Sequence, residues 1–317
     1  MPKTPYLYQL TERLSESLAE FPAEFRDRHS SYLKSKQTDV GGFPHREGED
    51  DLYYTGFALR GLACLDQVDP TTAKRAGSYL RGCMQKEASI VDFISLLYSV
   101  KVVRDAGGPD LLKSNFPNCS DRVLSVLEAY RKDDGGYAKA TEGHSGSTYH
   151  TFLVALCYQM VERELPERDR VLEFVLSRRR EDGGFVEVKP ALRGGTNPTA
   201  AAIALLLLLD SDEPEVISGA VNFMIEMQNP EGGLKANART PLADLLSTFT
   251  GLLTLTDIGE KSRFDLDGMQ KFVESLEVPT GGFRGGVWDS DTDSEYTFYG
   301  LGTLALLRQN QDGAGPA

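Results

Sequence analysis

The chain has 317 residues, 40% of them hydrophobic, and a formal net charge of −13 with a pI near 4.9. An acidic surface repels phosphate backbones, so nucleic acid is not an expected partner. The longest apolar run, Ala200 to Leu209, is about half the ~20 residues a spanning helix needs, and MPKTPYLYQL lacks the layout of a signal peptide. Cys64, Cys83, Cys119 and Cys157 lie far apart without a CxxC pair, so buried thiols in a reducing, cytoplasmic setting are expected.

Taken in chain order, the first landmark is Gly41-Gly42-Phe43, with Gln37 before it. The acidic run Glu47, Glu49, Asp50 and Asp51 then reads as loop and helix cap ahead of an apolar helix that opens with Tyr53 and Tyr54. Residues 83–100, CMQKEASIVDFISLLYSV, read as a helix–helix junction whose glycine loop has been deleted near residue 88. Gly135-Gly136-Tyr137 follows. DRVLEFVLSRRR, residues 169–180, carries an apolar stripe among polar residues and predicts an outer helix. Gly183-Gly184-Phe185 then leads to NPTAAAIALLLLL, residues 197–209, which has almost no polar face and must be buried all round. Gly232-Gly233-Leu234 and Gly281-Gly282-Phe283 complete the series.

The glycine pairs are spaced by 94, 48, 49 and 49 residues, the first interval being close to two periods. A second marker keeps the same register: Thr55, Thr151, Thr199, Thr248 and Thr297. Four residues before each stands Asp51, Ser147, Gly195, Asp244 or Asp293. Each unit therefore reads as amphipathic helix, glycine turn, short loop and apolar helix. The expected fold is all-α, an α/α toroid in which six hairpins of about 48 residues close into a barrel. The expected repeats are approximately 20–66, 70–106, 120–160, 167–210, 213–257 and 265–309, with 310–317 a flexible tail. Closure is preferred to an open solenoid because it buries every apolar helix without polar end caps.

Gln37-Thr38-Asp39-Val40-Gly41-Gly42-Phe43 and Gln228-Asn229-Pro230-Glu231-Gly232-Gly233-Leu234 resemble the Gln-x-x-x-Gly-Gly-aromatic loops of the prenyltransferase and squalene-cyclase repeat superfamily. The resemblance covers about residues 30–308 and is nearest to the β subunits of protein prenyltransferases (Rab geranylgeranyltransferase and farnesyltransferase). It implies an isoprenoid diphosphate in an aromatic-lined central cavity and a rim zinc that makes an acceptor cysteine a thiolate. In the family the zinc is held by an Asp-x-Cys on the penultimate inner helix and a histidine on the last. Here Asp244 is kept, Leu246 stands where the cysteine would be, and Tyr296 takes the histidine's place. One ligand of three does not hold a tetrahedral zinc, so no zinc is expected.

The diphosphate candidates are His144 and Tyr149, in a string similar to the family's His-x-Gly-x-x-Tyr signature but one repeat early, and Arg239. Pro241 and Ser247 replace two further residues of the family pattern. The acidic cluster from Asp289 to Glu295 has three readings. It caps the last inner helix, or binds Mg²⁺ through Asp289, Asp291 and Asp293. The third is protonating chemistry: Asp293-Ser294-Glu295-Tyr296-Thr297 sits where class II terpene cyclases carry Asp-x-Asp-Asp-Thr. The candidate catalytic set is therefore Asp244, Asp293, Glu295 and Tyr296. His45, His144 and His150 read as rim histidines. Tyr53, Tyr54, Phe249, Trp288, Phe298 and Tyr299 would line an isoprenoid cavity or pack between layers.

The function the resemblance implies is an isoprenoid-diphosphate-binding, prenyltransferase-type protein that works without zinc and is not an ordinary protein prenyltransferase. The alternatives are class II cyclase-like protonation and a non-catalytic toroid that holds a lipid or a protein partner, an α-subunit-like chain among them.

Overall fold

The computed structural model describes residues 4–84, 89–111, 119–211 and 213–309. The centre of the expected loop deletion near residue 88 and the tail 310–317 lie outside the described residues. Thirteen α-helices are described: α1 Tyr6–Ala19, α2 Ala23–Ser35, α3 Leu52–Cys64, α4 Pro70–Cys83, α5 Ile90–Asp105, α6 Cys119–Glu128, α7 Thr148–Met160, α8 Arg168–Ser177, α9 Thr196–Leu208, α10 Pro214–Met227, α11 Leu245–Asp257, α12 Leu266–Leu276 and α13 Ser294–Arg308. The apolar helices form a closed ring, α3–α5–α7–α9–α11–α13, with α13 packed back on α3. This is the α/α toroid expected from the repeats.

The amphipathic helices α2, α4, α8, α10 and α12 pack outside that ring. In α12 the inward stripe is Met269, Phe272, Val273 and Leu276, at the 3–4 residue spacing that puts side chains on one face. Each contributes about 1.5–3 kcal/mol by leaving water. Helix α6 joins the outer layer through Glu128, which accepts from Tyr158 Oη of α7 at 2.6 Å.

The two sequence markers turn out to be one hydrogen-bonded unit. The backbone N–H of the residue after each glycine pair donates to the marker threonine. Phe43, Tyr137 and Leu234 do so to Thr55, Thr151 and Thr248 at 2.9 Å, Phe185 to Thr199 at 2.8 Å, and Phe283 to Thr297 at 3.3 Å. Four of these threonines in turn donate to the carbonyl four residues back. Asp51, Ser147, Asp244 and Asp293 cap the inner helices through their side chains. Such a cap is worth about 1 kcal/mol.

The glycines are required by contact as well as by conformation. Gly232 has φ +95°, and a Cβ there would lie 2.1 Å from the carbonyl oxygen of Gly268 on α12. Gly281 has φ +93°, and its Cβ would meet the carbonyl of Arg28 on α2 at 2.7 Å. Each loop thus lies against the backbone of the next outer helix, and the last lies against the first.

The residue four before each glycine pair completes that tie. Gln37 donates to Thr72 O at 3.1 Å, Gln228 to Asp265 O at 2.9 Å, and Arg131 and Arg179 reach Pro166 O and Glu215 O, both at 3.2 Å. In the last unit Glu277 accepts from His29 Nε2 at 3.1 Å and from Arg28. His29 Nδ1 accepts from Gly282 N, which places the ring proton on Nε2. Burial alone would raise the Glu277 carboxyl, but His29 and Arg28 outweigh it and hold it below its ordinary range.

The loops join side to side along one rim, through Thr148 N to Glu187 O (3.1 Å), Thr196 N to Ala236 O (2.9 Å) and Leu245 N to Gly285 O (2.8 Å). Three loops are internally zipped by two-residue antiparallel pairs, Phe43–Pro44 with Asp50–Asp51, Leu234–Lys235 with Ala243–Asp244, and Phe283–Arg284 with Thr292–Asp293.

Helix α1 belongs to none of the six hairpins. It packs on α13, α3 and α7 at the end of the barrel opposite the glycine loops. Tyr6 Oη donates to Asp257 at 2.6 Å, Tyr6 N donates to Gln159 at 3.1 Å, and Arg13 pairs with Asp257 at 2.7 Å. Those partners stand at the C-terminal ends of α11 and α7, so α1 is the floor of the ring.

Candidate functional site: the central cavity

A cavity of about 470 Å³ runs down the middle of the ring, with residues from all six inner helices in its wall. Leu7, Leu10 and Leu14 of α1 close its floor, and small side chains on α9, Ala200, Ala201 and Ala204, make its width. Phe57, Phe249, Phe298 and Tyr299 form an edge-to-face cluster, with centroids of consecutive rings 5.2–5.7 Å apart. The volume falls within the range of small-molecule sites.

Of the aromatic residues singled out in the sequence, Tyr53, Phe249, Phe298 and Tyr299 lie in the wall. Tyr54 is half-buried beside it, edge-on to Tyr53 at 5.6 Å, and Trp288 stands on the rim loop with 55% of its surface exposed. Of the diphosphate candidates, Tyr149 lines the cavity, and burial pushes its phenol up to about 12. His144 and Arg239 are exposed on separate rim loops. His150 is buried, with Nδ1 2.7 Å from Ser147 Oγ.

The acidic cluster has a partner the sequence did not point to. Arg46, on the loop between α2 and α3, donates Nη1 and Nη2 to the two oxygens of Asp289 (3.1 and 2.7 Å) and Nε to Asp293 Oδ2 at 2.7 Å. Backbone N–H groups of Asp291 and Gly285 also reach Asp289, and Asp293 Oδ1 caps Tyr296 N at 2.8 Å. Burial would raise the Asp289 carboxyl, yet these bonds keep it low. The ion pair joins the last loop to the first and so closes the rim. All four oxygens of Asp289 and Asp293 accept hydrogen bonds, and Asp291, the third Mg²⁺ candidate, is exposed on the same loop.

Asp244 likewise spends both oxygens on Ser247, at 2.7 Å to its N–H and 2.9 Å to its hydroxyl, and burial raises its carboxyl. Tyr296, facing Arg46 across 5.5 Å, has its phenol pushed up to about 12 by burial, then by Glu295 and Asp244. Asp244, Leu246 and Tyr296 together offer no nitrogen or sulfur donor, so this set does not fit zinc.

Glu295 differs from its neighbours. Burial raises its carboxyl to about 6, against the hydrogen bond Tyr53 Oη donates at 2.6 Å, and the adjacent Asp293 adds to the rise. Tyr299 Oη donates to the same oxygen at 3.3 Å. Both donors line the cavity, so a carboxyl that is partly protonated near neutral pH sits directly behind its aromatic wall.

Three charged residues in the wall were not singled out from sequence: Arg60, Glu187 and Asp257. Nor was α1. The signals were present: Leu7, Leu10, Leu14 and Leu18 recur at helical spacing, and Arg60 is a lone charge midway along an otherwise apolar inner helix.

Fold and cavity together define an α/α toroid around a largely apolar chamber. The chain belongs to the Prenyltransferase alpha-alpha toroid domain family, which matches residues 16–92 and 106–313. Its structure is similar to Candida albicans protein geranylgeranyltransferase-I complexed with GGPP, with a TM-score of 0.71 at 15% identity over 89% of this chain and 90% of that one. It is also similar to a variant of the type II terpene cyclase MstE from Scytonema in complex with geranylgeranyl dihydroxybenzoate, with a TM-score of 0.61 at 13% identity over 95% and 98%. The GH76A alpha-1,6-mannanase from Salegentibacter sp. HEL1_6 shares the fold as well, with a TM-score of 0.60 at 13% identity over 95% and 98%. Likeness at these identities is a likeness of fold. No curated protein matches the sequence. Among the described residues no helix is long and apolar enough to cross a membrane.

Proposed function

We propose that this protein binds an isoprenoid in its central cavity and does so without zinc. The observation that carries the reading is the cavity itself: about 470 Å³, walled by aromatic and aliphatic side chains and floored by α1. An apolar chamber of this kind gains by exchanging water for hydrocarbon. With Leu246 and Tyr296 in place of cysteine and histidine, the thiolate activation of ordinary protein prenylation has no metal to act through. A diphosphate head group would have to meet Tyr149 in the wall and Arg239 and His144 on the rim.

Titration calorimetry with farnesyl and geranylgeranyl diphosphates and with the corresponding alcohols tests the reading. Chain-dependent heat with both head groups is expected. The absence of heat with all four would leave the toroid as a scaffold for a protein partner.

Glu295 favours a second reading, proton-initiated cyclisation. Its carboxyl sits behind the wall rather than in it, so its proton would reach a terminal alkene by way of the Tyr53 hydroxyl, leaving a Glu295 carboxylate and a carbocation that the wall aromatics face. The opposing fact is Arg60. A carbocation in this chamber would share it with a guanidinium, so the reaction needs a substrate that brings its own negative charge.

A further inference from the structure

The three charges in the cavity wall are not in the same condition. Asp257 is neutralised by Arg13 at 2.7 Å and accepts from Tyr6 at 2.6 Å. Glu187 accepts from Tyr149 N at 3.2 Å and from Ser147 Oγ, with His150 3.9 Å away. Burial would raise its carboxyl, yet those partners hold it below its ordinary range. Arg60 has neither a carboxylate nor a carbonyl partner among the described residues, and its Nε is buried without a hydrogen bond. Its neighbours are ring faces, Tyr98 at 4.7 Å and Phe57 at 5.3 Å. Arg60 is half-buried, and cation–π contact supplies roughly 0.5–2 kcal/mol without satisfying a guanidinium N–H. The hydroxyl of Tyr149, close enough to Arg60 to feel its charge, is also without a hydrogen bond among the described residues.

We propose that Arg60 is the anchor for the anionic end of the cavity's ligand, a chain-bearing carboxylate that enters head-inward. The proposal rests on the reading of the cavity as a lipid site and names the head group that reading leaves open. Arg60 lies on α3 roughly 12 Å below the rim at 1.5 Å per residue. Among the described residues the wall supplies one unpaired cation, which matches one negative charge. A diphosphate carries more, and inside the cavity its extra charge would face Glu187 in the wall and Glu295 behind it. A carboxylate fits the planar fork of a guanidinium, with Tyr149 Oη free to donate a further bond. The hydrocarbon then lies across the cavity against Ala200, Ala201 and Ala204.

The test is calorimetry on the full chain with farnesoic acid, palmitoleic acid, farnesol and farnesyl diphosphate, repeated on Arg60→Met and Arg60→Lys. In the native protein farnesoic acid should bind about 10- to 100-fold more tightly than farnesol. In Arg60→Met the acid should bind no more tightly than the alcohol, while Arg60→Lys keeps part of the preference. A fatty acid equal to the isoprenoid acid supports the carboxylate anchor and shows that the cavity does not distinguish acyl from isoprenoid chains. Equal binding of acid and alcohol by the native protein overturns the anchor and leaves the lipid site standing, whatever the variants do. Tighter binding of the diphosphate than of the acid overturns it as well. Heat from none of the four overturns both.

Discussion

Replacing Glu295 by glutamine should raise stability at neutral pH and do nothing of the kind in acid. The carboxyl is raised from an ordinary 4.5 to about 6, chiefly by burial. In the folded protein the neutral form is therefore favoured. Between pH ~4.5 and ~6 the native state holds more protons than the unfolded chain, so stability falls as pH rises through that window. The full difference, about 1.5 pH units, corresponds to about 2 kcal/mol lost by neutral pH. The groups facing Glu295 set that value: Tyr53 and Tyr299 donate to it, Asp293 repels it, and Arg46 attracts it. Glutamine keeps an oxygen for Tyr53 and removes the charge. Urea denaturation of both proteins from pH 4 to 8 isolates the effect, because other titrations cancel in the difference. The variant should gain up to about 2 kcal/mol over the native protein at pH 7.5, with the gain vanishing below pH 4.5. A difference that does not change with pH, or a variant less stable at pH 7.5, would refute the reasoning and remove the physical basis for Glu295 as a proton donor.

Gly232→Ala and Gly48→Ala make a paired test of the repeat loops. Both glycines have φ +95°, but the first would place a Cβ 2.1 Å from Gly268 O and the second meets nothing within 4 Å. Gly48→Ala should cost about 1 kcal/mol and Gly232→Ala at least about 3 kcal/mol in urea denaturation, and equal costs would mean that α12 yields. On metals, elemental analysis after dialysis against chelator should show well under one zinc per chain, and farnesyl diphosphate binding should be indifferent to Mg²⁺. Stoichiometric retained zinc, or a strong Mg²⁺ requirement, contradicts the donor arguments for Asp244 and Asp289.

The fold was legible because every unit solves the same backbone problem. A glycine with positive φ, a threonine accepting from the next N–H and a cap four residues before that threonine recur because the main chain recurs. Even the variation is interpretable. Gln37, Arg131, Arg179, Gln228 and Glu277 occupy one position and each ties its loop to the next outer helix. Helix α1 escaped because it obeys no repeat, though its leucine stripe was open to reading.

The site was harder to read, and the reason is electrostatic. Asp289 and Asp293 look like an unpaired acidic cluster along the chain, but the charge that neutralises them, Arg46, lies 243 residues before Asp289 and arrives only when the rim closes. Arg60 is the converse, a lone charge in an apolar helix for which no carboxylate partner is found among the described residues of the closed ring. Reading from sequence assigned diphosphate recognition to Tyr149, which lines the cavity, and to His144 and Arg239, which stand exposed on separate rim loops. The proposed anchor, Arg60, stands in a different environment. An exposed cation is hydrated and screened within about 10 Å at ordinary salt, so it gains little from one more anion. Arg60 is half-buried, faces aromatic rings and has no carboxylate partner among the described residues, so under the proposed anchor the same anion would gain more there.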